Sequence, residues 1–313
     1  MVLFWFLFIL FVIGMLALDL GVFHKKDHVF TTKEALFWTG VWVFISLLFN
    51  VAIYFLYEHG ILYSTGEAIS GLEAALDFFT GYLIEKSLSI DNIFVMAAIF
   101  SYFGIPSLYQ HRVLFWGILG AIVFRGIFII AGAALIHQFA WIMYVFGGLL
   151  ILSALKMLFG KEEQTDLDKN IIVRFSKKMF SITTKIEGHH FFIKENTKWT
   201  LTPLFLALIV IESTDILFAV DSIPAIFAVT TDPFLVFTSN IMAILGLRSL
   251  YFALAAMLGK FEKLKYSLIF ILAFVGVKML IMEFYKIPTL ASLLVIVVAL
   301  LFGILLSLRS AKN

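Results

Sequence analysis

Five carboxylates lie inside apolar runs: Glu85 and Asp91 in "LIEKSLSIDNIFV", and Glu212, Asp215 and Asp221 in "VIESTDILFAVDSIP". A charge at the centre of a bilayer costs at least about 2.5–3.5 kcal/mol, so five unpaired acids would cost more than about 10 kcal/mol if additive. Three bases sit as deep, Arg125, Arg248 and Lys86, and ion pairs with them could hold a bundle together. Lys156 and Lys278 lie near span ends, where they can snorkel, and are weaker partners. Five acids against three deep bases leave an excess of negative charge, and a cation site accounts for it.

Glu212 and Asp215 are spaced i,i+3 on one helical face and could converge on one ion. Asp215 and Asp221, like Glu85 and Asp91, are six apart, about 9 Å and 240° in a straight helix. One ion reaches both members of such a pair only if the helix opens. Pro224 is the expected helix break, since it has no N–H for the carbonyl of Val220, and an opened turn would free an oxygen beside Asp221. The metal candidates are Asp91, Asp215, Glu212, Asp221, Glu85 and Asn92. Ser213, Thr214, Ser222 and Asn240 are further neutral oxygens, while Arg125, Arg248 and Lys86 are candidates for ion pairing or gating.

The donor set limits the ion. There are no cysteines, and all seven histidines (His24, His28, His59, His111, His137, His189, His190) fall in loops or at span ends. An oxygen-only core site suits Mn, Mg or Ca rather than Zn or Cu. Met96 and Met242 could add a thioether favouring Mn, although filling a packing gap is the commoner role of methionine.

The elements that must position these groups follow from hydropathy. With 62% hydrophobic and 14% charged residues and a mean hydropathy of +1.03, the chain of 313 residues reads as a polytopic membrane protein. Nine segments hold the ~20 apolar residues that a crossing helix needs: 3–23, 34–57, 77–101, 113–135, 138–160, 200–228, 234–258, 265–285 and 288–308. They are too long and continuous for barrel strands, so the expected fold is all-α, a polytopic helical membrane bundle. The first segment lacks a basic flank and a small-residue cleavage site and reads as a retained helix.

Alternate connections (24–33, 102–112, 161–199, 259–265 and the C-terminal tail) carry 17 of the 23 basic residues, which puts the N-terminus outside and the C-terminus in the cytoplasm. The long connection 161–199 reads as a cytoplasmic linker that can hold short interfacial helices, with a regulatory or partner-binding role as the alternative.

An internal repeat organises the chain. "SLSIDNIF" (87–94) aligns with "LFAVDSIP" (217–224), matching Asp91 to Asp221, Asn92 to Ser222 and Glu85 to Asp215. Further on, Arg125 matches Arg248 and Lys156 matches Lys278, at intervals of 31 and 30 residues. Each copy, 77–160 and 200–285, holds three helices, so the second enters from the opposite side. This is an inverted-topology repeat, the architecture of secondary transporters. Segments 3–23, 34–57 and 288–308 are then accessory, and the whole chain is one transmembrane domain.

The stretches "LALDLGVF", "EKSLSIDNIFV" and "ESTDILFAVDSIPAIFAVTTDPFLVFTSNIMAILGLRSLYF" closely resemble the TerC family of tellurium-resistance membrane proteins, in particular its Alx-type members, over nearly the whole chain. The resemblance implies a bacterial inner-membrane transporter exporting manganese and linked to alkaline pH, with intramembrane acids at Glu85, Asp91, Glu212, Asp215 and Asp221. Asp19 matches as well, near the end of the first helix, where an exposed cap role suffices.

Export of a divalent cation against an inside-negative potential costs about 4.6 kcal/mol per 100 mV, so a driving ion is needed, and protons exchanged at clustered carboxylates would supply it. The alternative is a membrane scaffold or stress-response protein whose buried charges are structural. A redox enzyme is disfavoured, since there is no core histidine pair for haem, no thiol pair and no dinucleotide fingerprint. The expected partners are therefore a divalent metal ion, protons and the lipid bilayer, with no nucleic acid and no covalently bound cofactor. The oligomeric state is left open.

Overall fold

The computed structural model describes residues 2–23, 31–62, 69–139, 141–160, 181–183, 185–186, 188–195, 198–255 and 263–310. Ten α-helices occur among them: α1 (Val2–Phe23), α2 (Thr32–Glu58), α3 (Gly71–Tyr102), α4 (Ser107–Gln138), α5 (Ile142–Phe159), α6 (Pro203–Phe227), α7 (Pro233–Ile244), α8 (Leu247–Ala255), α9 (Leu264–Ile281) and α10 (Thr289–Ser310). The architecture is all-α, as expected. Most of the basic 161–199 connection lies outside the described residues, as do Lys25, Lys26 and Lys260.

Local chemistry starts several of these helices. Thr31 and Glu34 form a reciprocal capping box on α2. Asp232 accepts from the backbone N–H groups of Phe234 and Leu235 (2.8 and 3.3 Å) and Pro233 opens α7, where its missing N–H costs nothing. Asp232 also accepts from the Tyr57 hydroxyl at 2.7 Å, tying the start of α7 to α2.

Among the described residues, seven helices are long and apolar enough to cross a membrane, and the bent pair α7 and α8 would make an eighth. Length and composition alone thus give fewer crossings than the nine expected. The difference is α3, a 32-residue helix that carries Glu73, Asp77, Glu85, Lys86 and Asp91. Its length is ample, and its charges set it apart.

Helices α3 and α6 occupy the centre. They pack on each other, α4 packs on α6, α7 on α3, and α5 on α9. The α5–α9 crossing is close because neither helix has a side chain at the contact: a Cβ on Gly147 would lie 3.0 Å from the Gly276 carbonyl, and one on Gly276 would lie 2.9 Å from that of Gly147. Helices α1, α2 and α10 stay at the periphery and turn large apolar side chains such as Phe6, Phe44 and Val298 outward. A ring cluster of Phe8, Phe49, Phe234 and Phe237 anchors α1 against α2 and α7.

Two local expectations are corrected. The break expected at Pro224 is absent, because α6 runs through it to Phe227. The proline sits one turn from the helix end, and spanning helices tolerate it where neighbouring groups re-satisfy the backbone. The discontinuity falls instead within segment 234–258, where α7 and α8 meet at 41°. Gly246 makes that turn with φ +81°, and a Cβ there would lie 2.5–2.6 Å from Trp42. Gly246→Ala is therefore expected to destabilise the protein by at least about 1–2 kcal/mol through backbone strain, with the Trp42 clash added. Thermal unfolding in detergent measures it, and an unchanged midpoint would refute the strained turn.

The described part of the 161–199 connection holds a β-hairpin rather than interfacial helices. Strands β1 (Phe192–Glu195) and β2 (Lys198–Leu201) pair antiparallel, Phe192 opposite Leu201. The hairpin docks on the bundle through aromatic contacts: Phe192 with Phe205 of α6 at 4.6 Å, His189 with Tyr109 and His111 of α4, and Arg112 over Phe191.

Candidate functional site

Arg125 of α4 is 1% exposed and stands between Glu85 of α3, which is fully buried, and Asp215 of α6, which is 6% exposed. Its Nη1 pairs directly with Glu85 Oε1. Its Nη2 reaches Asp215 Oδ1 at 3.0 Å and its Nε donates to Asp215 Oδ2 at 3.4 Å. Neutral groups close the ring: Nη1 also donates to Asn240 Oδ1 (3.1 Å) and Ser222 Oγ (3.3 Å), and Asn240 Nδ2 donates to Glu85 Oε2 (3.1 Å). Asn92 Nδ2 donates to Asp215 Oδ1 at 3.3 Å, and Ser89 Oγ to Glu85 Oε1 at 3.3 Å. Four helices meet in this network, α3, α4, α6 and α7. One guanidinium against two carboxylates leaves a formal charge of −1.

A cavity of about 620 Å³ adjoins the network. Glu85, Asn92, Arg125 and Ser222 contribute to its inner wall. Asp91 of α3 and Asp221 of α6 line it as well, and it extends to Lys156 and Gly160 at the end of α5 and to Lys265 at the start of α9. It therefore runs from the middle of the bundle toward the end where α5 stops and α9 begins. Ser153 donates to Asp221 Oδ1 at 2.6 Å and fixes that carboxylate against α5. A second void of about 10 Å³ lies between α3 and α6, lined in part by Asn92, Met96, Thr214 and Asp215, and Asn92 Oδ1 beside it accepts no hydrogen bond. That is room for about one water-sized particle.

Several residues aligned in the sequence lie in one region of the bundle, although Arg125 and Arg248 do not. Glu85 and Asp215 face one guanidinium, Asn92 and Ser222 both join its network, and Asp91 and Asp221 both line the one cavity. Glu212 lies elsewhere. That carboxylate is half-buried, packs against α4 at Gly120, where a Cβ would collide with it, and its Oε2 has no hydrogen-bond partner. Among the described residues, no three Asp, Glu, His or Cys side chains gather closely enough to cage a metal ion.

The expected bases divide their work. Arg248 pairs with Asp19 of α1 at 2.8 Å, and both are buried, so the exposed cap role for Asp19 is corrected. Lys86 donates to the carbonyl of Ala243 at 3.0 Å, in the last turn of α7, where the negative end of the helix dipole favours a cation. Met242 lies in the apolar core. Ser153, Lys265 and the buried Asp77, which accepts from Thr289 at 2.9 Å, escaped the sequence reading. A signal for Ser153 existed, since it lies three residues before Lys156 on the same helical face.

The fold and the site define a multi-pass helical integral membrane protein with a charged network buried in its bundle and a cavity, lined in part by charged and polar side chains, leading to it. Comparison with known proteins narrows the class. The profile of the Integral membrane protein TerC family matches residues 70–313, and the chain belongs to that family. It is 50% identical over 309 residues to an uncharacterised membrane protein of Myxococcus xanthus, covering 99% of this chain and 93% of that one. It is 48% identical over 292 residues to Alx of Escherichia coli (strain K12), provisionally described as a membrane-bound redox modulator, covering 93% and 88% of the two chains. A Rickettsia felis membrane protein is 43% identical over 97% of both chains. No solved structure gives a significant match.

Proposed function

We propose that this protein is a secondary transporter that exports a divalent cation, Mn²⁺ first, across the bacterial plasma membrane in exchange for protons, without making or breaking a covalent bond. The observation that carries this reading is the cavity, which is lined by both Asp91 and Asp221 and reaches the Glu85–Arg125–Asp215 network inside the bundle. A cargo site need not be a closed cage: small hard cations keep several waters and are held by one or two carboxylates with neutral oxygens. Asp91 and Asp221, with Asn92, Ser153, Thr214 and Ser222 beside them, offer that set. The chain has no thiols, which leaves Mn²⁺, Mg²⁺ and Ca²⁺ as suited cargo and gives no support to a thiol relay behind the redox name of its relative.

The matched placement of Glu85 with Asp215 and of Asp91 with Asp221 supports an inverted repeat over 77–160 and 200–285. With nine crossings and the basic connections inside, the cavity faces the cytoplasm, the side from which an exporter loads. A second reading, a scaffold with structural charges serving tellurium resistance, is favoured by how fully Arg125 satisfies Glu85 and Asp215.

Everted membrane vesicles separate these readings. Mn²⁺ is expected to accumulate in vesicles that contain the protein and are acid inside, and to stop accumulating when the pH gradient is collapsed. Uptake that survives the collapse would rule out proton coupling. Uptake no greater than in vesicles lacking the protein would rule out Mn²⁺ transport.

A further inference from the structure

Helices α9 and α10 pack closely at their inner edge, where Gly303 meets Ser267 and the Ser267 hydroxyl donates to the Ala299 carbonyl at 2.7 Å. On the outer side they leave a groove of about 650 Å³ lined by Tyr266, Phe270, Leu294, Val298, Phe302 and Leu306, among others. Its wall is almost wholly apolar, and it is separate from the cavity that holds Asp91 and Asp221. Its size falls within the roughly 300–1,000 Å³ of preformed ligand clefts.

Two features identify the occupant. The first is length. Leu294 to Leu306 is twelve steps along α10, about 18 Å at 1.5 Å per residue, close to one leaflet of a hydrocarbon core about 30 Å thick. The second is charge at one end. Lys263 and Lys265 place their Nζ atoms 6.0 and 5.7 Å from the Tyr266 ring, and Arg309 follows Leu306 by one turn of α10. An aromatic residue flanked by basic ones marks the interface level of a bilayer, where cations meet anionic headgroups.

We propose that this groove binds one anionic phospholipid, with an acyl chain laid between α9 and α10 and the headgroup phosphate held by Lys263 and Arg309, Lys265 adding to the field. The bare bilayer would cover any convex apolar face without preference. Here the concavity selects a chain and the basic end selects a charge. A second copy of the protein is a poorer occupant, because a two-fold interface on this face would set like charges against like.

Native mass spectrometry of the full-length protein, released from micelles with equimolar phosphatidylglycerol and phosphatidylcholine of matched chains, tests the site. The parent is expected to retain phosphatidylglycerol about tenfold more than phosphatidylcholine, and K263Q/R309Q to retain the two about equally. V298W, which fills the groove, is expected to lose both lipids. Equal retention by the parent, an unchanged preference in K263Q/R309Q, or unchanged retention in V298W would overturn the proposal. So would a dimer that V298W dissociates. Should V298W unfold, the paired surface variant decides alone, since Lys263 and Arg309 are exposed and touch neither the Arg125 network nor its cavity.

Discussion

Arg125→Ala is expected to destabilise the protein by about 3–5 kcal/mol, because it strands Glu85 and Asp215 inside the bundle. The guanidinium serves both carboxylates and two neutral oxygens, and the site has no other base in contact with them among the described residues. Coulomb gain and desolvation nearly cancel for an intact buried cluster, whereas loss of one partner leaves the desolvation cost unopposed. The loss should therefore be undone by removing the stranded charges. Arg125→Ala combined with Glu85→Gln and Asp215→Asn is expected to recover most of the stability, since neutral amides can hydrogen-bond to Asn240, Asn92 and Ser222. Thermal unfolding of the purified variants in one detergent reads both effects. An Arg125→Ala protein as stable as the parent, or a triple variant no better than the single one, would contradict the network as described.

The second large effect concerns transport rather than stability. Asp91→Asn and Asp221→Asn keep shape and most hydrogen bonding, and the Ser153 hydroxyl can still donate to an amide oxygen at position 221. Each removes one negative charge from the cavity wall. Mn²⁺ uptake into everted vesicles is expected to fall about 10–100-fold, the range over which changes around a metal's ligands act. Stability should change by less than about 1 kcal/mol, since both side chains border a cavity rather than fill the core. The scaffold reading predicts the reverse pattern: unfolding shifts and cellular Mn stays constant. Parent-like uptake in both variants would remove these carboxylates from the transport path.

Several features were legible in the residues because they depend on one-dimensional quantities. Segment length and hydropathy located the helices, since the bilayer sets a thickness that each crossing must match. The cost of charge in hydrocarbon singled out Glu85, Asp91, Glu212, Asp215 and Asp221 as groups that need partners, and the alignment of the two stretches set Glu85 beside Asp215 and Asp91 beside Asp221. What hydropathy could not supply was the level at which one helix meets another. Glu212 and Asp215 share a helical face by spacing and both meet α4, yet Asp215 lies level with the Arg125 guanidinium while Glu212 lies at another level of α4, against Gly120. Arg125 and Arg248, which the sequence alignment matches, pair with different helices: α1 brings Asp19 to Arg248, whereas α3 and α6 bring Glu85 and Asp215 to Arg125.

The discontinuous helix illustrates the same division. A proline inside a helix removes a backbone hydrogen bond, but the chain breaks where the pieces have somewhere to go. Near the end of α6 the lost bond at Pro224 is tolerated, whereas at Gly246 a positive φ and the Trp42 ring beneath it turn the path. Lys86 then reaches the last turn of α7, a use for a deep lysine that exists only once the helix has ended there. By itself the sequence determined an all-α membrane bundle with an acidic centre and no thiol chemistry. Tertiary structure decided which acid meets which base, because in a low-dielectric interior that choice follows from distances of a few ångströms between helices far apart in the chain.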